Sequence, residues 1–127
     1  MRITVSESHH GPLFDGRAAA AVQAFTDASE REIGQYGVNV IRNELGRVLK
    51  HPTGYYQSQV QTDRAEGDNV IHDGGVVYGP WLEGTGSRNR TTRFKGYATF
   101  RRMTRMIQIE ASGIAERILP KYLRRMS

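Results

Sequence analysis

At 127 residues the chain fits one domain with a single modest core. It has no cysteine, which excludes a disulfide framework, a thiolate nucleophile and zinc–cysteine or iron–sulfur chemistry. With 24% charged residues, a net charge of +5 and no apolar run of about eighteen residues, a soluble chain without a membrane-spanning helix is expected.

Met1 to Ser8 alternates Ile3 and Val5 with polar neighbours, a short strand pattern. It reaches Glu7 before any long apolar stretch, so it is not read as a signal peptide. His9-His10-Gly11-Pro12 breaks the strand, and Asp15 is a candidate N-cap before the helix formers Ala18 to Ala21. Val22, Phe25, Ala28, Ile33, Tyr36, Val40, Ile41, Leu45, Val48 and Leu49 recur mostly three or four apart, predicting a helix over about 16–50 that ends at His51-Pro52. At 1.5 Å per residue it would run roughly 50 Å, longer than a domain of this size. It must therefore bend at Gly34 and Gly37 or project onto a neighbouring subunit.

Beyond Thr53-Gly54, Tyr56, Ser58, Val60 and Thr62 share one face of a predicted strand, with Gln57, Gln59, Gln61 and Asp63 on the other. Gly67-Asp68-Asn69 reads as a turn and Val70–His72 as the returning strand. Asp73-Gly74 signals a hairpin into a third strand, Val76–Tyr78, with Met1–Ser8 as a candidate fourth. Pro80 suits the start of a short helix through Trp81, Leu82 and Glu83 that Gly84 stops. Thr85 to Thr92 reads as a loop of low packing potential, flexible over about 85–93. Phe100, Met103, Ile107, Ala111, Ile114 and Ile118, spaced 3, 4, 4, 3 and 4, form the apolar stripe of a last helix. Pro120 kinks or ends it, leaving a basic tail over 121–127. The expected fold is α+β and one domain: an antiparallel sheet of three to four strands packed by a long N-terminal helix and a C-terminal amphipathic helix.

No pattern of catalytic residues emerges, and neither cofactor nor metal is expected. His72 and Asp73 are neighbours on a predicted strand and so point to opposite faces. His9-His10 has no further ligand at metal-binding spacing. Gly84-Thr85-Gly86-Ser87 lacks the lysine ending of a phosphate loop. The charge distribution says more. Residues 1–84 carry 7 basic and 11 acidic side chains, whereas 85–127 carry 11 basic ones against only Glu110 and Glu116. Arg88, Arg90, Arg93, Lys95, Arg101, Arg102 and Arg105 fall between Thr85 and Met106 with no acid among them, a block that attracts phosphate or a negative protein face. Phe94 and Tyr97 interleave with those cations, the composition of a small nucleic-acid-binding module. That module is the alternative functional reading.

Three segments, in order, resemble the tail-completion (head–tail joining) proteins of siphophages, tail-terminator-like proteins included. His51-Pro52-Thr53-Gly54-Tyr55-Tyr56-Gln57-Ser58 is similar to the family's threonine-glycine step after a long helix. Val77-Tyr78-Gly79-Pro80-Trp81-Leu82-Glu83-Gly84-Thr85 looks like its tyrosine, aromatic, glutamate and glycine-threonine stretch, and Arg93-Phe94-Lys95-Gly96-Tyr97-Ala98 like its entry to the last helix, with Arg93 in place of a proline. The resemblance implies a structural virion protein of the neck or tail end, found in host cytoplasm during assembly. It implies a ring of copies, six-fold favoured over twelve-fold, that meets the tail tube protein and a head-side connector or stopper. Genomic DNA would pass through the lumen without specific binding, and no membrane is involved. Interface residues expected on this basis are Tyr36, Val40, Trp81, Glu83, Arg88, Arg90, Arg93 and Phe94, with Glu83 pairing with an arginine of the adjacent copy.

Overall fold

The computed structural model describes residues 1–5, 16–49, 54–65 and 68–126. The candidate N-cap Asp15, His9-His10, His51-Pro52 and Gly67 lie outside the described residues. The fold is α+β. In chain order it comprises β1 (Arg2–Val5), α1 (Gly16–Val48), α2 (Tyr55–Ser58), β2 (Gln61–Ala65), β3 (Asp68–His72), α3 (Gly79–Glu83), α4 (Arg88–Thr91) and α5 (Thr99–Met126).

The three strands form one antiparallel sheet in the order β1-β3-β2. Ile3 and Thr62 both stand opposite Ile71, and Val5 stands opposite Asn69, so these residues share one face. That face lies on α1, because a Cβ built on Gly37 would collide with the tip of Ile71 and one on Gly34 would crowd Asn69 and Thr62. The two glycines therefore let the helix approach the sheet closely, which is a different role from the expected bend. Along α1, Ala21, Phe25, Ser29, Ile33, Gly37, Ile41 and Leu45 are all buried, a ridge of every fourth residue of the kind that fills a facing groove.

α5 runs antiparallel to α1. Tyr122 meets Phe25 at 6.0 Å between ring centres near one end, and Arg102 reaches Glu44 at 3.2 Å near the other. The predicted stripe on α5 faces inward: Phe100, Ile107, Ala111 and Ile114 are buried in the same core as Val5, Ile33, Ile41, Leu45, Val60 and Ile71. Met103 and Ile118 pack at its margin.

Four local expectations are corrected. Tyr55–Ser58 is a helical turn, closed by the Ser58 N–H on the Gly54 carbonyl at 3.0 Å, so β2 starts only at Gln61. The turn swings Tyr56 inside, where its hydroxyl finds Asp73. Val76–Tyr78 is not a strand: Asp73 bonds back to the Gly75 N–H at 3.0 Å, the chain turns there, and Val77 is 95% exposed. The third strand is instead β1, from the segment read as an optional fourth. Pro120 does not end α5, which continues to Met126, so the expected basic tail is helical through that residue. The proline is exposed, and buried Tyr122 anchors the turn beyond it.

Candidate interface and the polar scaffold behind it

The segment joining α3 to α5 carries most of the expected site residues, and three buried features hold it. The first is a chain crossing. Gly84 (φ 102°) stops α3, and a Cβ on it would strike the Lys95 carbonyl, while one on Gly96 (φ 92°) would strike Gly84 itself. Two glycines in contact let the chain return across its own path. The return is fixed by the Tyr97 N–H on the Leu82 carbonyl at 2.6 Å and the Ala98 N–H on the Glu83 carbonyl at 3.1 Å.

The second is Glu83. Ala98, the residue preceding α5, has no side chain to cap the helix. Glu83 reaches over instead: one carboxylate oxygen accepts the Phe100 N–H at 2.9 Å and the other the Arg101 N–H at 3.0 Å. A negative charge at a helix N-terminus also meets the positive end of its dipole. Glu83 is 3% exposed and committed within its own chain, which corrects the expected pairing with an arginine of an adjacent copy.

The third is Asn89, on a helical turn where a featureless loop was expected. Its side-chain oxygen accepts the Gly86 N–H at 2.9 Å, and its amide donates to the Trp81 and Phe94 carbonyls, each at 3.1 Å. Every polar atom of that amide is used, so buried Asn89 ties both limbs of the loop together. Lys95 closes the cage by donating to the Asn89 carbonyl at 2.8 Å.

On this scaffold the aromatic residues meet one another. Phe94 lies 4.9 Å from Trp81 and 5.0 Å from Tyr97 between ring centres, and the Arg88 guanidinium sits 5.9 Å over Trp81. Trp81 and Phe94 are half-buried in this cluster, so they act as its floor rather than as freely projecting anchors. Arg88, Arg90 and Arg93 on the same segment are exposed. Among the described residues the side chains of Arg90, Arg93, Arg101 and Arg105 make no hydrogen bond or ion pair. Arg102, by contrast, donates to Glu44 and to the Tyr97 carbonyl.

Tyr36 and Val40 lie elsewhere, on α1, half-buried at the margin of the core. Tyr36 lines a groove between α1 and α5 with Ile114, Ile118 and Arg117. Its phenol titrates above the ordinary tyrosine value through burial and the nearby charge of Glu110. The structure thus brings Trp81, Arg88, Arg90, Arg93 and Phe94 together and leaves Tyr36 and Val40 apart from them.

A second polar centre went unread in the sequence. Asp73 is fully buried beside the chain start: one carboxylate oxygen binds the Met1 ammonium at 2.8 Å and the Gly75 N–H, and the other accepts the Tyr56 hydroxyl at 2.8 Å. Burial pushes its pKa up, but these three donors outweigh burial and hold the carboxyl below its ordinary value. Burial, and then donation to Asp73, pushes the Tyr56 phenol well above its usual range. The Asp-Gly-Gly turn was legible; the ammonium and phenol that converge on it come from distant parts of the chain. His72 bonds Asp63 at 2.6 Å through Nε2 and accepts the Gly74 N–H at 2.9 Å through Nδ1, so both ring nitrogens are occupied. Among the described residues no cluster of three or more metal-ligating side chains forms. Comparison with protein-family models, curated proteins and solved structures finds no match to this chain.

Proposed function

We propose that this chain is a structural protein of the phage neck or tail end, a ring subunit that completes or terminates the tail and joins it to the head. The observation that carries the reading is the preorganised cationic face. Glu83, Asn89 and the glycine crossing use buried hydrogen bonds to hold a short exposed segment in which the Arg90 and Arg93 side chains make no hydrogen bond or ion pair among the described residues. Such charges steer an encounter and fix its register more than they add raw affinity, which suits docking onto an acidic protein face. Two helices of roughly 50 and 40 Å on a three-stranded sheet also present much surface for neighbouring copies. In this reading the chain performs no reaction and needs no cofactor, and its partners are other copies, the tail tube protein and a head-side connector.

The alternative, a small nucleic-acid-binding module, draws on the same unpaired cations. It is weakened by the aromatic rings, which stack on each other rather than standing free to receive bases. The test replaces Arg88, Arg90 and Arg93 together by glutamine. Circular dichroism is expected to remain that of the wild type, while ring formation seen by negative-stain electron microscopy with the tail tube protein is lost. Unchanged rings would overturn the proposal. Tight DNA binding that falls steeply with salt, without any self-association or tail-tube contact, would favour the alternative.

A further inference from the structure

α5 has a second seam. The first, from Phe100 to Ile118, covers the core. On the opposite side of the helix Arg102, Met106, Ile109, Gly113 and Glu116 follow one another at intervals of 4, 3, 4 and 3, the spacing of a coiled-coil seam. This face carries exposed apolar side chains: Ile109 is 61% exposed and Met106 43%. At Gly113 an added Cβ would find only the Arg117 guanidinium, at 3.6 Å, so the helix backbone there is open to close approach.

The seam is self-complementary in charge and in size. Between residues 102 and 116 the cations Arg102 and Arg105 come first and the acids Glu110 and Glu116 second; these are the two acids of the chain's basic rear. A second copy laid antiparallel, with its Ile109 against the first copy's Ile109, sets each basic half beside an acidic one. In that register Arg102 falls opposite Glu116, and Met106 falls opposite Ser112, one residue or about 1.5 Å from Gly113, so the long flexible side chain lies beside a residue with none. Arg102 uses Nε and one terminal nitrogen on Tyr97 and Glu44, and among the described residues its other terminal nitrogen makes no bond. A parallel pairing would instead oppose Arg102 to Arg102 and Glu116 to Glu116.

We infer that the outer face of α5 is a two-fold docking surface for a second copy of this chain, centred on Ile109. The contact is isologous, one patch used twice, and it closes at two subunits. It differs from ring closure, which joins two unlike patches, and it stands independently of the ring proposed above. Outside the seam both helices are basic, through Arg101 at one end and Lys121 and Arg124 at the other, so the ends repel while the centre attracts. A crossing angle of about 20° carries those ends apart, and salt near 0.3 M screens what remains.

The test is sedimentation equilibrium of the full chain at about 0.3 M salt, over a concentration series reaching roughly 1 mM. A reversible monomer–dimer equilibrium is expected, weakened at least tenfold by Ile109→Arg with unchanged circular dichroism. Because the chain lacks cysteine, Ile109→Cys supplies a second readout. Under copper-phenanthroline oxidation in air it is expected to cross-link to a covalent dimer at least tenfold faster than Gln35→Cys, an exposed position on α1. A strictly monomeric wild type, or self-association indifferent to Ile109→Arg, or equal cross-linking at the two positions, would overturn the inference.

Discussion

Single buried carboxylates decide how this small domain is tied. Glu83 is separated from α5 by a loop, and its removal leaves two N–H groups at the start of that helix without partners. A buried donor left unmade costs about 1–3 kcal/mol, more where the lost partner was charged. Glu83→Ala is therefore expected to lower stability by about 2–4 kcal/mol in urea denaturation, and Glu83→Gln by less, because glutamine retains one acceptor. Asp73 gives a different signature. Its native pKa lies below its unfolded one, so its contribution is complete above roughly pH 5 and is lost as pH falls through the native value. The wild type is expected to lose stability on acidification below about pH 4, and Asp73→Asn, less stable at neutrality, to show a flatter slope across that window. Urea midpoints between pH 3 and 7 check both statements.

At the scale of elements, what the sequence disclosed depended on whether the deciding contact was periodic or solitary. The long amphipathic helices and the apolar stripe of α5 rest on repeated spacing and are where the pattern put them. The misreadings share another cause. Tyr55–Ser58 has strand-like composition, but one buried phenol bonding Asp73 favours a helical turn; Val76–Tyr78 has strand-like side chains and no partner, because β1 occupies that side of β3. The scaffold behind the arginine segment was illegible for the same reason: Glu83 and the Gly84–Gly96 crossing act on residues 12 or more positions away, and Asn89, though its partners are local, holds them by single bonds that follow no period. Gly37 shows how the two levels compete. Alanine there gains up to about 1 kcal/mol of helix propensity, yet its methyl must displace the tip of fully buried Ile71, and overpacking costs about 1–3 kcal/mol. Gly37→Ala is thus expected to be net destabilising. Ile71→Val removes the obstructing carbon, so the double variant is expected to be more stable than Gly37→Ala alone, a coupling that a double-mutant cycle measures.

At the scale of the whole molecule, the cationic segment sets stability against function. Arg90, Arg93, Arg101 and Arg105 lie between Thr85 and Met106, where no acid occurs, and among the described residues their side chains make no hydrogen bond or ion pair. Like charges close together in the chain repel, and a compact fold keeps them near one another, which strains the native state electrostatically. Screening relieves that strain: above about 0.1 M salt the Debye length falls below about 10 Å. The urea midpoint of the wild type is therefore expected to rise with sodium chloride from 20 to 500 mM more than that of a variant with Arg90, Arg93 and Arg105 changed to glutamine. The variant is expected to be the more stable of the two at low salt and to lose that advantage at high salt. The side chains of these arginines belong to no cap and no core cluster among the described residues, so their neutralisation is expected to relieve repulsion without a packing cost. A variant less stable than wild type at 20 mM salt would show instead that the arginines stabilise the fold itself, and the cationic face would lose its standing as a docking surface.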